Sequence, residues 1–256
     1  MASQEFSATK KALESETANT SAVPSSNFNP EDLKAALGDS ALTEDTALAL
    51  LKRPDLTPDG LERLSRNGNI LKHRKVKLAF VQHPKTPRHV SLPLVRQLYT
   101  FDLMQVALTP VVPADIKLAA DEALCNRLET ISSGERLTLA HRGSGRIAEA
   151  LLGDPEVRVV QAALENSRLT ESSIVKVLAR RDRSSTCVEA VCHHPRWSLR
   201  REIRIALLRN EKTPLARAAE FARGLPPALL REILHSSRLP ENVKSYLSVD
   251  LEKRGK

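Results

Sequence analysis

One phrase recurs along this chain, and it limits the fold more than any other feature. KLAFVQHPKTPRHV (77–90), QAALENSRLTESSI (161–174), EAVCHHPRWSLRRE (189–202), RIALLRNEKTPLAR (204–217) and REILHSSRLPENVK (231–244) share one order of residue types, and ALALLKRPDLTPDG (47–60) joins them. Each runs from an apolar helix end through a polar residue, often Asn or His, across a turn of two or three residues into a cap. The breaks recur at about 25 to 30 residues, some at about half that. A period of this size, made of two short helices, is the signature of an α-solenoid.

Local signals agree. Helix starts are expected at Thr57-Pro58, Thr86-Pro87, Val112-Pro113, Thr213-Pro214 and Leu239-Pro240. There the residue before proline leaves helical backbone and proline supplies a preset first turn. Ser132-Ser133-Gly134-Glu135 reads as a capping box, and Thr170-Glu171 as a cap followed by a first-turn acid. Stops are expected at Asn67-Gly68, Arg142-Gly143, Gly153-Asp154-Pro155 and Arg223-Gly224. Between them lie helical spacings such as Val157, Val160, Leu164, then Ile174, Val177, Leu178, then Ile203, Leu207, Leu208. Sustained alternation is absent from the sequence, so no strand is predicted. Residues 91–130 are the least repeat-like and are expected to form a longer helix pair.

Composition suits many thin helix contacts. Hydrophobic residues make up 41% but aromatics only 3%, so the core must be Leu, Ala, Val and Ile. Ala148, Ala150, Ala162 and Ala163 are expected to let helices approach closely. The three cysteines, Cys125, Cys187 and Cys192, are too few for a disulfide framework and fit a reducing compartment. The first residues lack the apolar stretch of a secretory signal, and no apolar run approaches the ~18 residues of a membrane span. A cytoplasmic protein without membrane contact is expected.

Residues 1–28 are rich in Ser, Thr, Asn and Glu and poor in large apolar groups, and are read as a disordered acidic leader. A single repeat domain is expected over 29–256, opening with Asn29 as cap and Pro30 as the first helical residue. The acidic stretches 31–37 and 43–52 and the charged helix near 240–253 are expected to close the two ends. Residues 1–59 carry 5 Lys/Arg against 10 Asp/Glu, a balance of −5, which leaves +13 on the remainder of a chain whose total is +8. Such a leader would have a high effective concentration at the basic body and would be placed to mask it.

The stretch LAHRGSGRIAEALLGDPEVRVVQAALENSRLTESSI resembles variant leucine-rich repeats, and the chain over about 40–250 resembles the HEAT-like superfamily of helical repeats. The resemblance implies an all-α, right-handed α-solenoid of stacked short antiparallel helix pairs. It is nearly silent on function. The N-terminal cysteine cluster of iron–sulfur variant-repeat proteins is missing, so no cofactor is implied. No His-Glu pair is present, which disfavours the HEAT-like oxygenases.

Cys187, Cys192, His193 and His194 form the one metal-like cluster, but the cysteines are five apart and adjacent histidines at a helix end cannot easily join them. Packing of the cysteines as small apolar residues is the expected role. The basic run of Lys176, Arg180, Arg181, Arg183, Arg196, Arg200, Arg201 and Arg204, with Trp197, is a candidate phosphate-binding stripe. Its plain alternative is a solvated helix surface that offsets helix dipoles. Lys72, His73, Arg74, Lys75 and Lys77 form a second basic cluster. HEAT-like DNA glycosylases use an acid and aromatics in a basic groove, which Asp182 with Trp197 and Arg200 would imitate. No phosphate-binding loop, nucleophile elbow or His-Glu-x-x-His motif is present in the sequence. The expected function is therefore a non-catalytic scaffold or adaptor, without cofactor or metal, binding a protein along its concave face. A nucleic-acid-binding solenoid is the alternative, and a glycosylase-like enzyme a more remote one.

Overall fold

Proline-opened, capped turns cut the chain into short pieces, and those pieces are helices. The computed structural model describes residues 42–181 and 184–254, and among them are fifteen α-helices and no strand. They are α1 (Glu44–Leu51), α2 (Pro58–Ser65), α3 (Arg74–Gln82), α4 (Arg88–Val95), α5 (Thr100–Leu108), α6 (Ala114–Cys125), α7 (Ser133–Arg142) and α8 (Gly145–Leu151). There follow α9 (Val157–Glu165), α10 (Glu171–Ala179), α11 (Ser185–His193), α12 (Arg201–Leu208), α13 (Leu215–Arg223), α14 (Pro227–Ser236) and α15 (Glu241–Arg254). A 3-10 turn, Ile70–Lys72, precedes α3. The all-α expectation is met. The expected leader 1–28, the cap at Asn29 and the expected acidic helix 31–37 lie outside the described residues, which fall within one unit, Leu42–Lys256.

Several caps act as the sequence suggests. Thr57 accepts from the Gly60 N–H at 3.2 Å with Pro58 at the first helical position. Ser132 and Glu135 form the full capping box, and Thr170 accepts from Ser173 N–H. Ser144 and Ser184 cap α8 and α11 in the same way. Thr86 and Thr213 are different. Their hydroxyls donate backwards, to the carbonyls of Phe80 and Leu207, both at 2.6 Å. They close the helix behind them and leave Pro87 and Pro214 at the N-cap positions ahead.

The glycine stop after α7 rests on close packing. Gly143 sits at φ −66°, where any residue is at ease. A Cβ there would strike the carbonyl of Leu139. At Gly145 a Cβ would lie 2.5 Å from the carbonyl oxygen of Arg168. Close backbone approach, not conformational freedom, requires glycine at both.

Many of the helices pack on the next helix but one, and several on the helix that follows them. One series of contacts joins α1 to α3 to α5 and α7 to α9 to α11, and another runs α4, α6, α8, α10, α12, α14. The most extensive contact is α5 with α6, inside the stretch that is least repeat-like in sequence. Within a series the helices run in the same sense. Asn210, just beyond α12, donates to Leu178 O near the end of α10, and Asn166, just beyond α9, donates to Ala140 O near the end of α7.

The core between the two series is aliphatic, with Phe80, Trp197 and Phe221 its largest buried members. Each fully buried Leu or Ile contributes on the order of 1.5–3 kcal/mol. Ile174, Val177, Leu178, Ile203, Leu207 and Leu208 are all buried, as their spacing suggests. Val157 is 50% exposed instead, and Val159 takes its place inward. Val157 is the first residue of α9, so its side chain overhangs the end of the helix before packing begins. Ala148, Ala162 and Ala163 are buried at helix contacts.

Candidate functional site

At three of the breaks the polar residue has a double role. Asn166 accepts the Arg168 N–H at 2.8 Å through Oδ1 and donates through Nδ2 to Ala140 O at 2.7 Å and Gly143 O at 3.2 Å. Asn210 repeats this, accepting from Lys212 N–H at 2.9 Å and donating to Leu178 O at 2.8 Å. His83 accepts from Lys85 N–H through Nδ1, which leaves the proton on Nε2, 3.4 Å from Arg53 O. One half of each side chain shapes its own loop, and the other half reaches a carbonyl 26 to 32 residues earlier. Buried backbone carbonyls at helix ends need such partners.

Trp197 belongs to the same set. Only 2% of it is exposed, and its indole N–H donates to Leu164 O at 2.8 Å. Arg196 stacks over the ring at 4.3 Å. The ring is therefore a core and tying residue, not an open face for a base, and the glycosylase-like grouping with Arg200 does not form around it. Asp182 and Arg183 lie outside the described residues.

The structure divides the predicted stripe. Because α10 and α12 run in the same sense, Arg180 and Arg181 at the end of α10 lie at the opposite edge from Arg200 and Arg201 at the start of α12. Lys176 and Arg180 reach Glu149 of α8, at 3.1 and 4.0 Å. Arg204 is drawn inward: its Nε donates to Ser198 O at 2.7 Å and its guanidinium lies 5.7 Å from the Phe221 ring of α13. Arg181, Arg200 and Arg201 are exposed.

Two members of the second basic cluster meet acids on neighbouring helices. Arg74 binds Asp102 through two hydrogen bonds, 2.7 and 2.8 Å, and covers Tyr99 at 5.0 Å. His73 meets Glu44 at 3.2 Å. Similar pairs join successive helices of each series: Arg88–Asp115, Arg146–Glu122, and Arg136 with Asp154 and Glu156.

Cys187 and Cys192 are buried in α11. Burial pushes the Cys192 thiol up to about 12, so it is no nucleophile at neutral pH. His193 donates from Nδ1 to Glu189 O at 2.8 Å, while burial lowers the pKa of His194, whose Nδ1 accepts from Arg196 N–H. Among the described residues no group of three or more His, Cys, Asp or Glu is placed to hold a metal ion. No described helix is long and apolar enough to cross a membrane. Buried Asp121 on α6 accepts from Ser144 Oγ at 2.7 Å, and desolvation raises its pKa above the ordinary carboxylate value despite that hydrogen bond.

No family model, no curated protein and no solved structure matches the chain.

Proposed function

We propose that the chain is a non-catalytic, right-handed α-solenoid of HEAT-like helix pairs, a scaffold or adaptor that binds a protein partner along its concave face. One observation carries this reading. The side chains with the most chemistry to offer, Trp197, Cys192, His194, Asn166, Asn210 and Asp121, are taken up in packing or in ties between repeats. What is left to work with is surface. The same-sense series of helices, in which next-but-one packing runs from α7 to α9 to α11 and along the even-numbered helices from α4 to α14, supports the solenoid part of the reading.

Site-directed photo-crosslinking from exposed positions across both helix series and both edges tests it. One protein species captured from one face supports a docking surface. Equal capture from all positions, or turnover of a substrate dependent on a described side chain, overturns it. Nucleic-acid binding stands as a second reading because exposed arginines gather in the C-terminal half.

A further inference from the structure

The loops that join α7 to α8, α9 to α10, α11 to α12 and α13 to α14 lie along one edge, and each is tied to the next. Asn166 binds Ala140 O and Gly143 O, and Gly145 abuts the Arg168 carbonyl. Trp197 binds Leu164 O, and the Arg204 Nη1 lies 3.1 Å from where a Cβ on Gly224 would stand. Six arginines, Arg142, Arg168, Arg196, Arg200, Arg201 and Arg223, sit on these loops and the helix ends beside them. All six are exposed, and among the described residues none has an ion-pair partner.

We propose that this edge binds the sugar–phosphate backbone of a nucleic-acid duplex. Three features select that partner. Every cation is arginine, whose flat, always-charged fork matches phosphate oxygens. Helices in contact are spaced about 8–10 Å apart, so four loops span about 25–30 Å, close to one duplex turn. Leu199, 69% exposed, is the one large apolar side chain exposed on these loops, so an acidic peptide would find little to anchor it. Single strands are disfavoured because the ring they would stack on, Trp197, is buried under Arg196. The opposite edge is less free: Arg180 approaches Glu149, and the Arg238 guanidinium donates to Ala179 O at 2.9 Å. Arg196, Arg200 and Arg201 come from the predicted basic run, and the other three arginines from positions it does not include. The inference stands independently of the protein-partner reading.

The test is fluorescence anisotropy of full-length protein with labelled DNA duplex, RNA duplex and single-stranded DNA, at 50 and 200 mM salt. Duplex affinity should fall about 100-fold or more between the two, as counterion release at four or more phosphates requires. The combined variant Arg168→Glu, Arg201→Glu, Arg223→Glu should weaken duplex binding at least tenfold more than Arg158→Glu, Arg181→Glu, Arg209→Glu on the opposite edge, with unchanged thermal melting for both. It should also make the salt slope shallower by about two to three. The two duplex arms tell DNA from RNA, and preference for either supports the proposal. Equal losses from the two triples, no duplex binding at 50 mM salt, tighter binding of the single strand, or tighter binding of a glutamate-rich peptide would each overturn it.

Discussion

Asn166 and Asn210 show how much a single amide can carry in a fold of short helices. Each is buried, and each closes its own loop while donating to a carbonyl 26 or 32 residues earlier. Asn166→Ala and Asn210→Ala each leave buried backbone groups unpaired, and each should cost about 1–3 kcal/mol. Urea midpoints should shift accordingly, while Asn69→Ala, at an exposed position, should leave the midpoint nearly unchanged. Gly145→Ala drives a methyl into the Arg168 carbonyl, and overpacking of this kind costs about 1–3 kcal/mol. Asp121 sets a pH dependence. Its pKa is raised in the folded chain, so the fold disfavours its charged form. Its contribution is most favourable below the ordinary carboxylate value and is lost as pH rises through its raised folded value. Asp121→Asn should flatten that slope in melts across the acidic range and leave stability at neutral pH equal or higher, since an amide oxygen still accepts from Ser144.

At the scale of the helix, what the sequence makes legible is whatever is decided within a few residues. Thr57, the Ser132–Glu135 box and Thr170 cap helices because a hydroxyl three residues before an N–H needs no tertiary context. Thr86 and Thr213 look identical to Thr57 in a local window, yet they bond backwards, because a buried carbonyl of the preceding helix competes for the hydroxyl. Ser144 was hidden inside a Gly-Ser-Gly turn although it caps α8. The candidate stripe is divided between two edges for a related reason. Arginines close in sequence, at the end of one helix and the start of another in the same series, face opposite edges once the direction of each helix is known. Trp197 gave no periodic signal because it lies in a loop, and only the donor it offers to Leu164 O explains its burial. The two cysteines of α11 make an element-level prediction. Neither Cys187 nor Cys192 should react with a thiol reagent at pH 8 in the folded state, and both should react fully in urea. Fast labelling of the native chain would show that α11 opens readily.

For the whole molecule, the proposed solenoid implies stability that is a sum of local units and their interfaces. The ties that run from one repeat to the next are the couplings in that sum. Weakening one, as in Asn210→Ala, should raise amide exchange in α12 to α15 more than in α3 to α6, and uniform exchange across the chain would contradict the additive picture. The chain holds a single Trp, and it is sealed between Arg196 and the end of α9. Its emission therefore reports on one junction, while far-ultraviolet ellipticity reports on every helix at once. A spectroscopist comparing the two signals through a thermal ramp would be watching one link against the whole chain, and a gap between the two curves would mark where along its length the molecule begins to come apart.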